Sequence, residues 1–267
     1  MLKRKLWNCL GWAGLGILFS ATVWGNDLNF RVNTQVFTEN HRLLVDGKTL
    51  FHEGKAYDFL TRMQEVAVFN FEKELIYLLN LQKKNKILIP FDQVHAYVDQ
   101  FYQWGKSHEK PEVREFVDPH FEIGYDKNDG KFTFVSEMFQ YAVTSVKPDR
   151  PEILTEYRRF AKESCQFNLM LSPGSKTLFA RSLVNDTVFK SGLLIEKLQL
   201  DITTQKGLFP KKKIFLSELR YLPRLVESDL ASIRQIDEYI AIFQETTFAE
   251  YREERIQNIS RSLKSKN

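Results

Sequence analysis

The stretch "EVAVFNFEKELIYLLNLQKKNKILIP", residues 65–90, decides the fold. Three β-prone runs, EVAVFNF (65–71), ELIYLLNL (74–81) and ILIP (87–90), are parted only by the charged residues Glu72-Lys73 and the run KKNK (83–86). Connections of two to five polar residues join antiparallel strands, because a parallel pair needs a crossover of a dozen residues or more. The segment therefore reads as a meander.

Working upstream, "TLFHEGKAYDFL" (49–60) holds two further runs, TLF and AYDFL, around Glu53-Gly54. Glycine supplies the positive φ that a tight hairpin turn requires. A two-residue loop pairs His52 with Lys55 and Thr49 with Asp58, which places His52 and Glu53 at the turn and Asp58 down the strand on the wet face. "TENHRLLVDG" (38–47) reads as a loop. Before it, "LNFRVNTQVF" (28–37) alternates strictly: Leu28, Phe30, Val32, Thr34 and Val36 on one face, Asn29, Arg31, Asn33 and Gln35 on the other, the period of a strand with one wet side.

Downstream the period changes. In residues 90–105, Phe91, Val94, Tyr97, Val98, Phe101 and Trp104 fall on one helical face, with Gly105 at the stop. A short helix over 111–117 leads to strands at 119–126, 131–136 and 139–146, the first two joined by the turn residues KNDG (127–130). Asp149 and Pro151 open a helix over 149–171; "SPG" (172–174) breaks it, a second helix spans about 176–190, and 195–204 with 212–221 form a last hairpin. Residues 228–257 read as one long helix with the stripe Leu230, Ile233, Ile236, Ile240, Phe243, Thr247 and Tyr251. The pattern predicts an α+β protein: a long curved antiparallel sheet of about eleven strands with packed helices, in a single domain over 26–267.

The N-terminus has its own character. Lys3, Arg4 and Lys5 precede an uncharged run from Leu6 to Trp24, and Val23-Trp24-Gly25 ends it with small residues at the positions a signal peptidase reads. Basic, then apolar, then small is the order of a secretory signal, so residues 1–25 are expected to be a signal peptide and the protein periplasmic or extracellular; the alternative is an N-terminal membrane anchor. Of 38 basic residues, three lie in that segment, and the remaining 35 face 34 acidic ones. So balanced a chain lacks a nucleic-acid footprint. Beyond Cys9 the only thiol is Cys165, so an exported chain must be held by its core and not by a disulfide.

The runs "LFHEGKAYDFL", "VAVFNFEKELIYLLN", "DPHFEIGYDKNDGKFTF" and "FNLMLSPGS" resemble a family of uncharacterised exported proteins from planctomycete-type bacteria. The likeness covers most of the chain beyond residue 25 and brings no activity with it. In strand count and order, the chain also resembles the curved open sheet of the periplasmic lipoprotein-carrier (LolA-like) fold. That likeness rests on architecture alone, and architecture does not carry function with it.

Reactive constellations are sparse. His52, Glu53 and Asp58 cluster in sequence but read as a polar turn. Asp92, His95 and Asp99 are spaced three and four apart on one helical side, where an imidazole and two carboxylates could ligate a metal, yet they flank the apolar stripe. H-E-x-x-H, G-x-S-x-G and G-x-G-x-x-G are absent. Ser107-x-x-Lys110 and Lys190-Ser191-Gly192 echo serine penicillin-recognising enzymes, but fall in a linker and at a helix end. Cys165 reads as a buried thiol, and KKNK and PKKK (210–213) as solvated basic turns that can meet anionic lipid head groups. No catalytic, cofactor or metal residue is assigned. The expected role is non-enzymatic binding of a lipid, a lipoprotein or a cell-envelope partner. The alternatives are a metal-assisted hydrolase using Asp92, His95 and Asp99 or His52, and a structural component of the cell envelope.

Overall fold

The hairpin at residues 49–60 forms in the expected register. In the computed structural model, Thr49 lies opposite Asp58 and His52 opposite Lys55, with Glu53 and Gly54 both at positive φ (46° and 68°), the turn whose twist matches its strands. The structure describes residues 28–60, 64–172, 177–206 and 209–253. The expected signal peptide at 1–25 and the end of the expected 228–257 helix lie outside them.

Strands β1 (Phe30–Thr38), β2 (Leu43–His52), β3 (Lys55–Leu60), β4 (Glu65–Asn70), β5 (Leu75–Asn80) and β6 (Asn85–Pro90) form the meander. The segment 38–47, expected as a loop, is mostly strand: the turn is tight around His41 (φ 53°), and Leu43, Val45, Asp46 and Gly47 pair with β1, with a bulge at Leu44. Two later turns repeat one device. The Asn70 side-chain oxygen accepts the Lys73 N–H, and that of Asn80 accepts the N–H groups of Gln82 and Lys83, so each strand ends in an asparagine that begins the turn. Helices α1 (Phe91–Lys106) and α2 (Pro111–Val117) lead to β7 (Glu122–Asp126), β8 (Lys131–Val135) and β9 (Phe139–Val146). Then come α3 (Pro151–Leu171), α4 (Leu178–Lys190), the long hairpin β10 (Leu194–Lys206) and β11 (Phe209–Leu222), helix α5 (Glu227–Ile242) and a two-residue strand β12 (Gln244–Glu245).

All twelve strands join one open sheet in the order β12-β6-β5-β4-β3-β2-β1-β11-β10-β9-β8-β7. Every pairing is antiparallel except β12 on β6. The sheet is closed in the middle by β1 pairing with β11, a contact between segments nearly two hundred residues apart.

Helices α1 to α4 cover one face. Phe51 of β2 meets Phe160 of α3 edge-on at 5.5 Å between ring centres; Phe69 of β4 meets Phe160 at 5.2 Å and Phe167 at 5.8 Å. Each such buried ring contributes about 1.5–3 kcal/mol by removal of apolar surface from water, and the edge-to-face geometry adds to that. Gly105 does not stop α1, which runs to Lys106. Its role is close approach: a Cβ there would lie 2.4 Å from Val117 Cγ1, so α2 packs against bare backbone.

Helix α5 covers part of the other face. Ile233, Ile236 and Phe243 pack on Leu50, Tyr57, Val66, Val68 and Leu79, which is why β4 is buried along its whole length. The long helix expected over 228–257 is broken. Phe243 is extended (φ −68°, ψ 140°), β12 runs along β6, and residues 248–253 are helical again. Tyr251 then belongs to the core of the opposite face, where its hydroxyl donates to Glu65 Oε1. A stripe at helical spacing thus serves both faces, because the chain wraps round the sheet edge between Phe243 and Tyr251.

Candidate functional site

The register sorts the sequence candidates by face. His52 and Asp58 are an even number of residues apart, but the hairpin between them reverses the chain, and they stand on opposite faces. His52 Nδ1 is 2.7 Å from Asn29 Oδ1, and its Nε2 is 3.7 Å from Glu53. Asp58, expected on the wet face, lies instead on the α1–α4 face, level with the buried Thr49 and Ala67. Thr49 Oγ1 donates to it at 2.8 Å, yet burial pushes the carboxyl up to about 6. The electrostatic cost of stripping water from the anion outweighs one hydroxyl.

Asp92 and Asp99 are exposed on α1. His95 turns away from them: its Nε2 is 2.8 Å from Glu163 Oε2 of α3, a carboxylate only 6 % exposed. The sequence trio is therefore replaced by a helix–helix pair, with Lys162 3.8 Å from the second Glu163 oxygen. Among the described residues, no three His, Cys, Asp or Glu side chains converge as a metal site requires. Cys165 is free; burial pushes its thiol up, against a smaller opposing effect of Arg181. Ser107 caps the end of α1, and Lys190 closes α4 beside Asp186.

Charged residues instead build the docking of α5. Asp229, 1 % exposed, takes Arg31 Nη1 of β1 at 3.0 Å, Lys48 Nζ of β2 at 3.1 Å and the Val226 N–H at 3.2 Å. Burial alone would raise this carboxyl, but the Val226 N–H and the two cations together hold it below the usual range. One turn pair further on, Asp237 accepts the Tyr57 hydroxyl at 3.0 Å and Lys55 Nζ at 3.3 Å. Burial, then Asp237, pushes the Tyr57 hydroxyl far up. At the far end Lys86 donates to the Ile240 carbonyl, a cation on the negative end of a helix. Lys86, expected as part of a solvated turn, is 8 % exposed. Lys86, Glu163 and Asp229 are thus charges drawn into the interior, and Asp58 is half-buried.

Past α5 this face is open. On β8, β9 and β11 the residues facing outward here are exposed while their neighbours are buried. A groove of about 740 Å³ runs over it. Its floor is Arg31, Asn33 and Gln35 of β1, with Asp46 and Lys48 of β2 on one side and Glu218 and Arg220 of β11 and Lys197 of β10 on the other; Lys147, Pro148 and Asp149 close one end. Lys197 lies across from Glu218, and the neutral Gln35 lies across from Asp46, donating its Nε2 to Asp46 Oδ1 at 3.2 Å. Adjacent strands are about 4.8 Å apart, so the groove offers donors and acceptors of both signs at that spacing. It holds no nucleophile with a base beside it. Sequence reading found the polar face of β1 but not these partners, which come from segments up to two hundred residues away. A faint signal was present in Asp229, an acid at the head of an apolar helical stripe.

Compared with models of protein families and with curated proteins, the chain matches none. Among the described residues no helix is long and apolar enough to cross a membrane.

Proposed function

We propose that this chain is an exported, non-catalytic binding protein that holds a lipoprotein or another protein of the cell envelope on the uncovered half of its sheet. The observation that carries the reading is the groove of about 740 Å³ whose lining carries both signs of charge in nearly equal number, among them Asp46, Glu218, Lys48, Lys197 and Arg220. A self-neutral, polar, concave floor suits the mixed side chains of a protein surface, not a single anion or an acyl chain. The face under α1–α4, where an acyl chain would otherwise lie, is occupied by the rings of Phe51, Phe69, Phe160 and Phe167. An open antiparallel sheet with helices packed on it supports the likeness to periplasmic lipoprotein carriers as architecture, and the binding role is argued from the groove.

Photocrosslinking tests it. A crosslinking residue at Asn33 or Gln199 should capture one defined envelope protein, and Lys197→Glu with Arg220→Glu should abolish capture without lowering the melting temperature. Equal capture from a crosslinker at Glu72, on a turn far from the groove, would overturn the proposal. So would native mass spectrometry that finds a stoichiometric acyl lipid and no protein partner.

A further inference from the structure

The two edges of the sheet are finished differently. At one, β12 is only two residues long, and the chain then leaves the sheet for the helical turn at 248–253. At the other stands β7, Glu122-Ile123-Gly124-Tyr125-Asp126, exposed at every residue. Its register with β8 runs through all five positions without a bulge, and it contains neither proline nor lysine. It thus lacks three of the devices that blunt a sheet edge. Among the described residues, no backbone pairs with its outer side. Alternate residues of an antiparallel edge strand turn their N–H and C=O away from the ladder, so β7 presents a row of free donors and acceptors. The row is preformed. Tyr125 stacks on Phe132 with 4.2 Å between ring centres, and Phe121, just before the strand, meets Phe134 and Tyr141 edge-on.

We propose that β7 takes up a basic extended segment of another protein as a further antiparallel strand, a recognition mode in which main-chain bonds bind and side chains select. Residues opposite each other in a ladder share a face. Ile123 and Tyr125 therefore stand with Phe134 and Phe132 on the helix-covered face, and Glu122 and Asp126 stand with Val135 and Lys131 on the other. Ile123 and Tyr125 are 53 % and 44 % exposed, an apolar rim for a neighbour to cover. Glu122 and Asp126 have no ion pair among the described residues. Lys131, opposite Asp126, bonds Asp129 at 2.8 Å instead, and Lys106 takes Asp118 at 3.3 Å. Lys127 adds a base in the turn, but over 118–137 acids outnumber bases five to two. A strand of the pattern basic–apolar–any–apolar–basic places its cations opposite Glu122 and Asp126 and its apolar residues opposite Ile123 and Tyr125. A second copy of this chain does not fit. Antiparallel self-pairing over all five residues sets Glu122 opposite the copy's Asp126, and like charges directly opposite destabilise a ladder.

The test uses the full chain and two fluorescently labelled peptides, Ser-Lys-Val-Thr-Val-Lys-Ser and its counterpart with glutamate for both lysines. Anisotropy should show saturable binding of the lysine peptide and much weaker binding of the glutamate peptide. Glu122→Lys with Asp126→Lys, at two exposed positions, should weaken the lysine peptide about tenfold, as two cross-strand charge pairs imply, and should bring the glutamate peptide up to the affinity of the parent pair. N-methylation separates strand addition from charge attraction: of the two alternate sets of peptide N–H groups, one should abolish binding when methylated and the other should leave it intact. Absence of saturable binding by the lysine peptide, failure of the charge swap to rescue, or equal tolerance of both methylated sets would overturn the proposal. So would a dimer of the parent chain that the peptide dissociates. The groove substitutions Lys197→Glu and Arg220→Glu should leave peptide binding unchanged, so this edge and the groove's partner stand or fall separately.

Discussion

Asp58→Asn should stabilise this protein, and only above a certain pH. In the fold the carboxyl titrates at about 6, against a usual 3.8. That gap corresponds to about 3 kcal/mol at about 1.36 kcal/mol per unit, and the remaining water contact trims it to about 2–3 kcal/mol. The folded state binds the proton more tightly than the unfolded chain does. Stability from this group is therefore complete below pH 4, declines as pH rises through 6, and is lost by pH 7.5. Asparagine has no proton to lose, and its side-chain oxygen still accepts the Thr49 hydroxyl. Weakening of that hydrogen bond costs a roughly constant 1 kcal/mol at every pH and cancels from the comparison, as do all other titrations common to the two proteins. Urea unfolding of both at half-unit steps from pH 4 to 8 should show the difference between variant and parent growing by about 2–3 kcal/mol in favour of the variant. Parallel curves would refute the placement of Asp58 under the helices.

Asp229→Ala removes the anchor of α5 and strands Arg31 and Lys48. Their side chains are 23 % and 33 % exposed and can rehydrate, so the loss should be about 2 kcal/mol and not the full value for a deeply buried pair; anilinonaphthalene sulfonate fluorescence should rise as the apolar face opens. The stability that Asp229 supplies is present above the ordinary aspartate range and is lost as pH falls through its lowered value, so the Asp229→Ala defect should shrink at acid pH in denaturant titrations. Gly105→Ala forces a Cβ onto Val117 and should cost about 1–3 kcal/mol by overpacking, read as a lower melting temperature. Phe160→Ala empties the contact between Phe51, Tyr157 and Phe69 and should cost about 3–5 kcal/mol, checked by chemical denaturation.

Much of the sheet was legible because its elements are local. Alternation marked β1, and the Asp-Gly-like pair Glu53-Gly54 set a hairpin register that puts Thr49 opposite Asp58. Charged turns separated β4, β5 and β6. The twelfth strand escaped notice because β12 is two residues long and pairs only through its contact with β6. Residues 43–47 looked like loop because Arg42, Asp46 and Gly47 are polar or small, yet β1 supplies them a ladder interrupted only by a bulge at Leu44. The stripe from Leu230 to Tyr251 kept helical spacing across a break that no glycine or proline marks. Phe243 and Tyr251 fit a helix equally well, and only the choice of opposite faces by Ile236 and Tyr251 separates them.

The candidate site was less legible. Asp92, His95 and Asp99 share a helical side, but what a side chain meets depends on the neighbouring helix, and Glu163 is 68 residues from His95. By itself the amino-acid sequence determined the strands, the tight turns, the aromatic faces and the balance of charge, because these depend on periods of two or 3.6 residues and on the backbone freedom of single positions. Only the tertiary structure decided that Asp58 is half-buried on the face under the helices, that Asp229 joins β1 and β2 to α5, and that half of one face stays open. The physical reason is that burial and charge pairing are properties of contacts closed between distant segments, and no local period encodes which segments those are.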